Sequence, residues 1–343
     1  MGRSTRYRLG GISALAVLVY VASLDAPFVY EDTQGITAAR TPIAWSFPSR
    51  DLTTWTWHLQ ADPYLLNPAR YHAVNLGLHL VNGALVALIG SAVISPAAGV
   101  GAAAVLLLHP LNSEAVSYVT ARTDLLMTVW TLLAVWLALR VTTWGWLAVG
   151  TCVALAGLSK EIGLVALPLV LWTLLVYRRE ALVRDAKWVA GGWIALGVLG
   201  GALYPTLITW MQLSPNTGGT GMAWIEYARY QLTALTYLLW HLVDWRGLSI
   251  DHDIIALSNY WALIGGLLAI HGIALVALTW RRAPLIAWAI GWLALSVLPR
   301  FLFPTNEWLR ESQLYLGIAG LSVPLGALLA WPWTVPVWRE RTA

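Results

Sequence analysis

The chain has 343 residues, 58% of them hydrophobic and only 11% charged, with a net charge of +4 and a mean hydropathy of +0.65. A water-soluble domain carries roughly a quarter charged residues, so this composition excludes a soluble fold and fits one polytopic, all-α membrane bundle over 1–343 with no soluble repeat domain. The basic residues sit mostly at the ends of apolar runs, where positive-inside bias accounts for them, so nucleic acid is not called for as a partner. The lone Cys152 has no second thiol to pair with and reads as a small core residue.

In chain order, Arg3, Arg6 and Arg8 precede an apolar run near 9–26. This segment has the basic head and apolar stretch of a signal peptide, with Val21-Ala22-Ser23 as a weak cleavage site, but it reads as a retained first anchor. A crossing needs about 20 apolar residues. Further spans are predicted near 71–94, 97–109, 124–140, 144–158, 162–177, 187–204, 259–280, 284–299 and 313–332, about ten in all. Several are short, as in a bundle of tilted helices around a cavity. Arg178, Arg179, Arg184, Lys187, Arg281, Arg282, Arg339 and Arg341 mark the cytoplasmic side.

With those anchors, 224–245 cannot cross without sending Arg281-Arg282 outside. It is expected to be an amphipathic or re-entrant outer helix carrying Glu226, Arg229, His241 and Asp244. Two large extracytoplasmic regions result, 25–70 and 205–258, and both termini are cytoplasmic. Most of the 22 tryptophans are read as interfacial belts.

Polar constellations gather on the outer side. Glu31-Asp32 follows the first span, as a catalytic acid pair or as solvated charge. His72, Asn75, His79 and Asn82 recur at helical spacing along one stripe, suited either to interhelical hydrogen bonds or to ligand contact in a wet cavity. The two histidines have no local carboxylate, so the metal signal is weak, although a divalent ion is not excluded. His109 to Asp124 brings Ser113, a candidate helix cap, then Glu114, and the pair Arg122 and Asp124. An arginine at headgroup depth suits phosphate through its forked donors. Lys160-Glu161 sits between two apolar runs, either self-neutralising or a phosphate clamp, and Arg300 and Arg310 add two more cations.

The ordered series FVYED, YHAVNLGLHLVN, HPLNSEAVSYVTARTDLL, SKEIG and PTNEWLRESQLYLG resembles the membrane domain of the transmembrane and tetratricopeptide-repeat O-mannosyltransferases and their bacterial relatives. These are GT-C superfamily glycosyltransferases that use polyprenyl-phosphate sugars. The resemblance runs from about 28 to 320 and implies a GT-C-like bundle with a catalytic acid at Glu31 or Asp32. Arg122, Lys160, Arg300 and Arg310 would then bind the donor phosphate, and His72, Asn75, His79, His109, Glu114, Asp124 and Glu161 would line the cavity.

It further implies a polyprenyl-phosphate sugar donor, a protein or glycan acceptor hydroxyl, no required cofactor, and an active face on the outer side of a bacterial inner membrane. Those family members often continue into a long repeat domain, so acceptor recognition here would fall to a partner subunit. A non-catalytic scaffold in a membrane complex is the alternative. A transporter is disfavoured because the polar positions crowd one face instead of running through the bilayer.

Overall fold

The computed structural model describes residues 2–38, 42–43, 45–61, 67–142, 145–187, 190–191, 224–250, 252, 260–302 and 310–334. In chain order its helices are α1 (Arg3–Tyr20), α2 (Asp32–Ala38), α3 (Asp51–His58), α4 (Pro68–Val93), α5 (Pro96–Leu108), α6 (Ser113–Ser117) and α7 (Arg122–Ala138). They continue as α8 (Gly145–Ser159), α9 (Ala166–Tyr177), α10 (Arg179–Arg184), α11 (Trp224–Trp240), α12 (Tyr260–Thr279), α13 (Pro284–Leu302) and α14 (Tyr315–Thr334). Short 3-10 turns occupy Val21–Asp25, Pro110–Asn112, Val119–Ala121, Glu161–Val165 and Glu311–Leu314.

Among the described residues, six helices are long and apolar enough to cross a membrane: α1, α4, α7, α12, α13 and α14 with their flanking turns. The count becomes seven if α5 and the bent segment after it form one span. Of the roughly ten spans expected, six or seven meet this test among the described residues, with shorter apolar helices beside them. Gly145–Ser159 and Glu161–Tyr177 are apolar but short, below the length that a ~30 Å hydrocarbon core asks of an upright helix. The 97–109 run bends by 59° past His109. Most of the expected span at 187–204 and all of 205–223 lie outside the described residues.

Local chemistry explains the helix starts. Asn67 caps α4 by accepting from the Ala69 N–H at 3.0 Å, and Ser95 caps α5 by accepting from the Ala98 N–H at 3.2 Å. Each is followed by proline at the first helical position, where no N–H is needed. Helix α5 is rich in small residues, which lets it lie close to its neighbours. A Cβ placed on Gly101 would come within 2.6 Å of the Gly326 carbonyl oxygen in α14, the tight backbone approach that membrane helices use in place of hydrophobic burial.

Not every tryptophan belongs to an interfacial belt. Trp288 and Trp292, one turn apart in α13, are fully buried. Their indole N–H groups donate to the Thr173 hydroxyl at 2.9 Å and to the Leu316 carbonyl at 2.8 Å.

Helix α11 rests across one end of the bundle. Near its start, the Tyr227 hydroxyl donates to the carbonyl of Arg300 at the end of α13 (2.8 Å). Past its end, the Leu242 carbonyl accepts from His109 Nε2 at 3.1 Å, and Tyr237 packs edge-on against Trp261 at the start of α12. Both ends of α11 therefore meet the same pole. That pole also receives the end of α8, the starts of α4, α7 and α14, and the two short helices of the 25–70 region. The opposite pole holds Arg140 over the Trp136 ring, Arg281 over the Trp280 ring, and Arg178 donating to the Leu139 carbonyl.

Candidate functional site

The chain leaves α1 through a turn at Tyr30, whose φ of 47° is a left-handed conformation uncommon for an aromatic residue. The two acids that follow have different surroundings. Asp32 is fully buried, and its Oδ1 accepts from both the N–H and the hydroxyl of Thr120 at 2.8 Å. Its Oδ2 accepts from the Val29 N–H at 3.2 Å, closing the turn. Glu31 keeps 42% of its side chain exposed and lies 3.9 Å from Arg310. The Glu31 N–H donates to the Tyr118 hydroxyl at 3.3 Å, and the Tyr118 ring carries the Arg310 guanidinium 4.9 Å above its centre.

Arg310 ties this loop to α6. Its Nε donates to Glu114 at 3.3 Å, and the same carboxylate accepts from the N–H and hydroxyl of Ser312, both at 2.9 Å. Beside it, Lys160 donates to both oxygens of Asp124 at 2.6 and 2.7 Å. Burial pulls the Lys160 ammonium below the ordinary lysine range. Asp124 pulls it back up, and the positive charges of Arg50 and Arg310 push it down. That mutual repulsion locates three cations on one side of the bundle. Arg50, which the sequence reading overlooked, bonds Glu161 through Nε at 3.0 and 3.2 Å. The segment around it is fastened to the end of α8 by the Thr53 hydroxyl on the Ser159 carbonyl (2.9 Å).

The expected pairing of Arg122 with Asp124 is not formed. Both lie in the first turn of α7, and residues two apart on a helix do not face each other. Asp124 turns to Lys160. Arg122 turns inward, fully buried, and donates to Asn75 Oδ1 (2.9 Å), Thr56 Oγ1 (3.2 Å), Gln60 Oε1 (2.5 Å) and the Tyr71 carbonyl (3.0 Å). Four of its five N–H donors are thus taken up in joining α3, α4 and α7.

The polar stripe of α4 is likewise internal, in keeping with the interhelical-bond alternative of the two that the sequence offered. His72, Asn75, His79 and Asn82 are all buried. His79 Nε2 reaches the Leu107 carbonyl at 3.2 Å, so that nitrogen carries the proton, and Nδ1 accepts from the Tyr315 hydroxyl at 2.7 Å. Asn75 and Asn82 donate to the carbonyls of Tyr118 and Leu125, each at 3.0 Å, and His72 to that of Ala26 at 3.2 Å. Such links hold helices together where no water competes. His109 is a hinge pin: Nδ1 accepts from the Leu111 N–H at 3.2 Å while Nε2 holds α11. Arg300 stands on the α11 side, lining a small cavity with Gln231 and Gln313.

No group of three His, Cys, Asp or Glu side chains suited to a metal ion occurs among the described residues. The site offers instead an accessible carboxylate at Glu31 with cations at Arg310, Lys160 and Arg50, on a frame of buried polar links. Tyr118 and Arg50 are the members that sequence reasoning missed. Tyr118 was visible within the SEAVSYVTAR stretch; Arg50 lies in an irregular segment with no period to single it out.

The fold and this charged pole define an integral membrane protein with several apolar helices and a cluster of carboxylate–cation pairs at one end. Comparison with known proteins gives it distant relatives in Drosophila melanogaster. It is 35% identical to the protein O-mannosyl-transferase Tmtc1 over 187 residues, covering 46% of this chain and 22% of that protein. It is 31% identical to the protein O-mannosyl-transferase Tmtc2 over 190 residues, covering 45% of this chain and 20% of that protein. The resemblance read from the motifs is borne out, while the chain spans well under half the length of either relative. No family model matches the chain, and no solved structure matches it.

Proposed function

We propose that the chain is a membrane glycosyltransferase of the GT-C type, moving a sugar from a polyprenyl-phosphate donor to an acceptor hydroxyl at the charged pole. We place that pole on the extracytoplasmic face of a bacterial inner membrane. The relatives' names make mannose and a protein hydroxyl the first donor sugar and acceptor to try. The observation that carries the reading is the juxtaposition of half-exposed Glu31 with Arg310, 3.9 Å apart, in a pole that also holds Lys160.

In this reading Glu31 takes the proton of the acceptor hydroxyl as its oxygen bonds to the anomeric carbon. The bond from that carbon to the phosphate oxygen breaks, and the lipid phosphate leaves with added negative charge. Arg310 and Lys160 meet that charge, with Arg50 next in line. Asp32, whose oxygens already serve Thr120 and Val29, is a positioning residue that fixes the turn presenting Glu31. Glu114 holds Arg310 in place.

The test is transfer of labelled sugar from a polyprenyl-phosphate donor by purified, monodisperse variants. Glu31→Gln is expected to lower the rate by about 10²–10⁴-fold with unchanged melting temperature, and Asp32→Asn to lower the melting temperature first. Full activity of Glu31→Gln would remove Glu31 as the base. The second reading, a scaffold subunit without catalysis, is favoured by the internal use of Arg122 and of the α4 stripe. It predicts no transfer by the parent chain with any lipid-phosphate sugar.

A further inference from the structure

At the basic pole, a groove of about 630 Å³ opens between α1, α5 and α14. Its walls are apolar and mostly small, including Gly11, Leu15, Ala97, Ala104 and Leu329, and its one charged lining residue is Arg8. The Arg8 side chain makes no hydrogen bond or ion pair with any described residue. From Arg8 to Leu15, and from Ala97 to Ala104, the walls run two turns of helix, about 10 Å into the bilayer. Only 11% of the apolar window of α1 is buried within the protein, so this face is turned to lipid. A Cβ on Gly11 would meet nothing within 4 Å, so the slot is open at that point.

We infer that this groove holds one acyl chain of an anionic phospholipid from the leaflet at the basic pole, with the lipid phosphate at Arg8. Two physical requirements select that occupant. In a bilayer, an apolar slot facing the hydrocarbon is filled by hydrocarbon, since water there would lose its hydrogen bonds. A guanidinium at the mouth of the slot, with no partner among the described residues and with its forked donors, selects a phosphate that bears net negative charge over a zwitterionic headgroup. The groove lies at the pole opposite Glu31 and Arg310 and is independent of the chemistry proposed there.

The test uses the full chain in nanodiscs containing phosphatidylglycerol or phosphatidylcholine with a photoreactive diazirine in the acyl chain, mapping labelled peptides by mass spectrometry. The stretch Ala97–Ala104 is expected to be labelled about fivefold more by phosphatidylglycerol, as one basic side chain near an anionic headgroup allows. Arg8→Gln is expected to abolish the preference. Gly11→Leu, which fills the slot without a backbone clash, is expected to reduce labelling by both lipids. Gly150→Leu, at an equally open site on α8, serves as the control for folding and for general lipid exposure and should change nothing. Equal labelling by the two lipids, insensitivity to Gly11→Leu, or protection of this stretch by a cross-linked second copy would each overturn the proposal.

Discussion

The two poles of the bundle handle charge in opposite ways. At the basic pole the partners are mostly local: Arg184 bonds the adjacent Asp185, Arg140 lies over Trp136, and Arg281 over Trp280, while Arg178 reaches back to the Leu139 carbonyl. At the other pole the pairs that frame the site come from far along the chain. Arg50 and Glu161 are 111 residues apart, and Glu114 and Arg310 are 196 apart. Local pairs set the orientation of helix ends and ask nothing of the fold. Long-range buried pairs exist only when the whole bundle has closed, so they belong to whatever that closure was selected to do.

Substitution can break or sharpen this contrast. The largest stability effect is expected at Lys160, whose removal strands a buried carboxylate. Lys160→Met should destabilise the protein by about 3–5 kcal/mol, while Lys160→Met with Asp124→Asn should recover most of the loss. Thermal melts of the purified single and double variants decide it, and a double variant no better than the single would show that the pair is not coupled.

Arg122 comes next. Arg122→Ala leaves Asn75, Gln60 and the Tyr71 carbonyl without their donor and should cost about 2–3 kcal/mol. Polyprenyl-phosphate affinity of the folded fraction should stay unchanged. Weakened affinity at unchanged stability would return Arg122 to the phosphate site.

A smaller, pH-dependent effect is expected where α11 ends. His241 is buried, with neither ring nitrogen hydrogen-bonded, and stands by Tyr237 and His252. Burial holds its pKa below the ordinary 6.5; Glu311 and Asp244 raise it and His252 lowers it. The closed state therefore binds a proton less readily than the open one, so opening becomes easier as pH falls through about 6.5 and the stabilisation is complete above it. Hydrogen exchange across Tyr237–Asp244 should quicken on acidification in the parent chain and much less in His241→Phe. The smallest effect belongs to the basic pole. Arg184→Ala and Arg281→Ala should leave the melting temperature unchanged, and a large drop would erase the contrast between the poles.

Much of the architecture was readable in the sequence because the bilayer constrains it so strongly. Composition declared the solvent, and the spacing of His72, Asn75, His79 and Asn82 placed all four on the buried face of α4. The motif series that resembled mannosyltransferases met the relatives found by comparison. What stayed hidden was partnership. Proximity in the chain made Arg122 and Asp124 a pair, but helical geometry sends them apart, and the residues that receive Arg122 come from α4 and from the short helix α3 with Gln60 just past its end. The short apolar runs at 144–158 and 162–177 fell below spanning length for the same kind of reason. Hydropathy reports what a segment can tolerate, whereas its length and bends are set by what it meets. The buried roles of Trp288 and Trp292 were hidden too, because nothing in their own segment reveals Thr173 and Leu316 waiting to accept from them.

The tie between Glu114 and Ser312 also bears on how the chain is made. Helices enter the membrane in the order they leave the ribosome, so α6 arrives with its carboxylate long before the residues that will satisfy it exist. Until α14 and the turn ahead of it are synthesised, that end of the bundle has to stay hydrated and loose. The last hairpin is then the latch, and a nascent chain halted before Arg310 carries an acid whose donors have not yet been made.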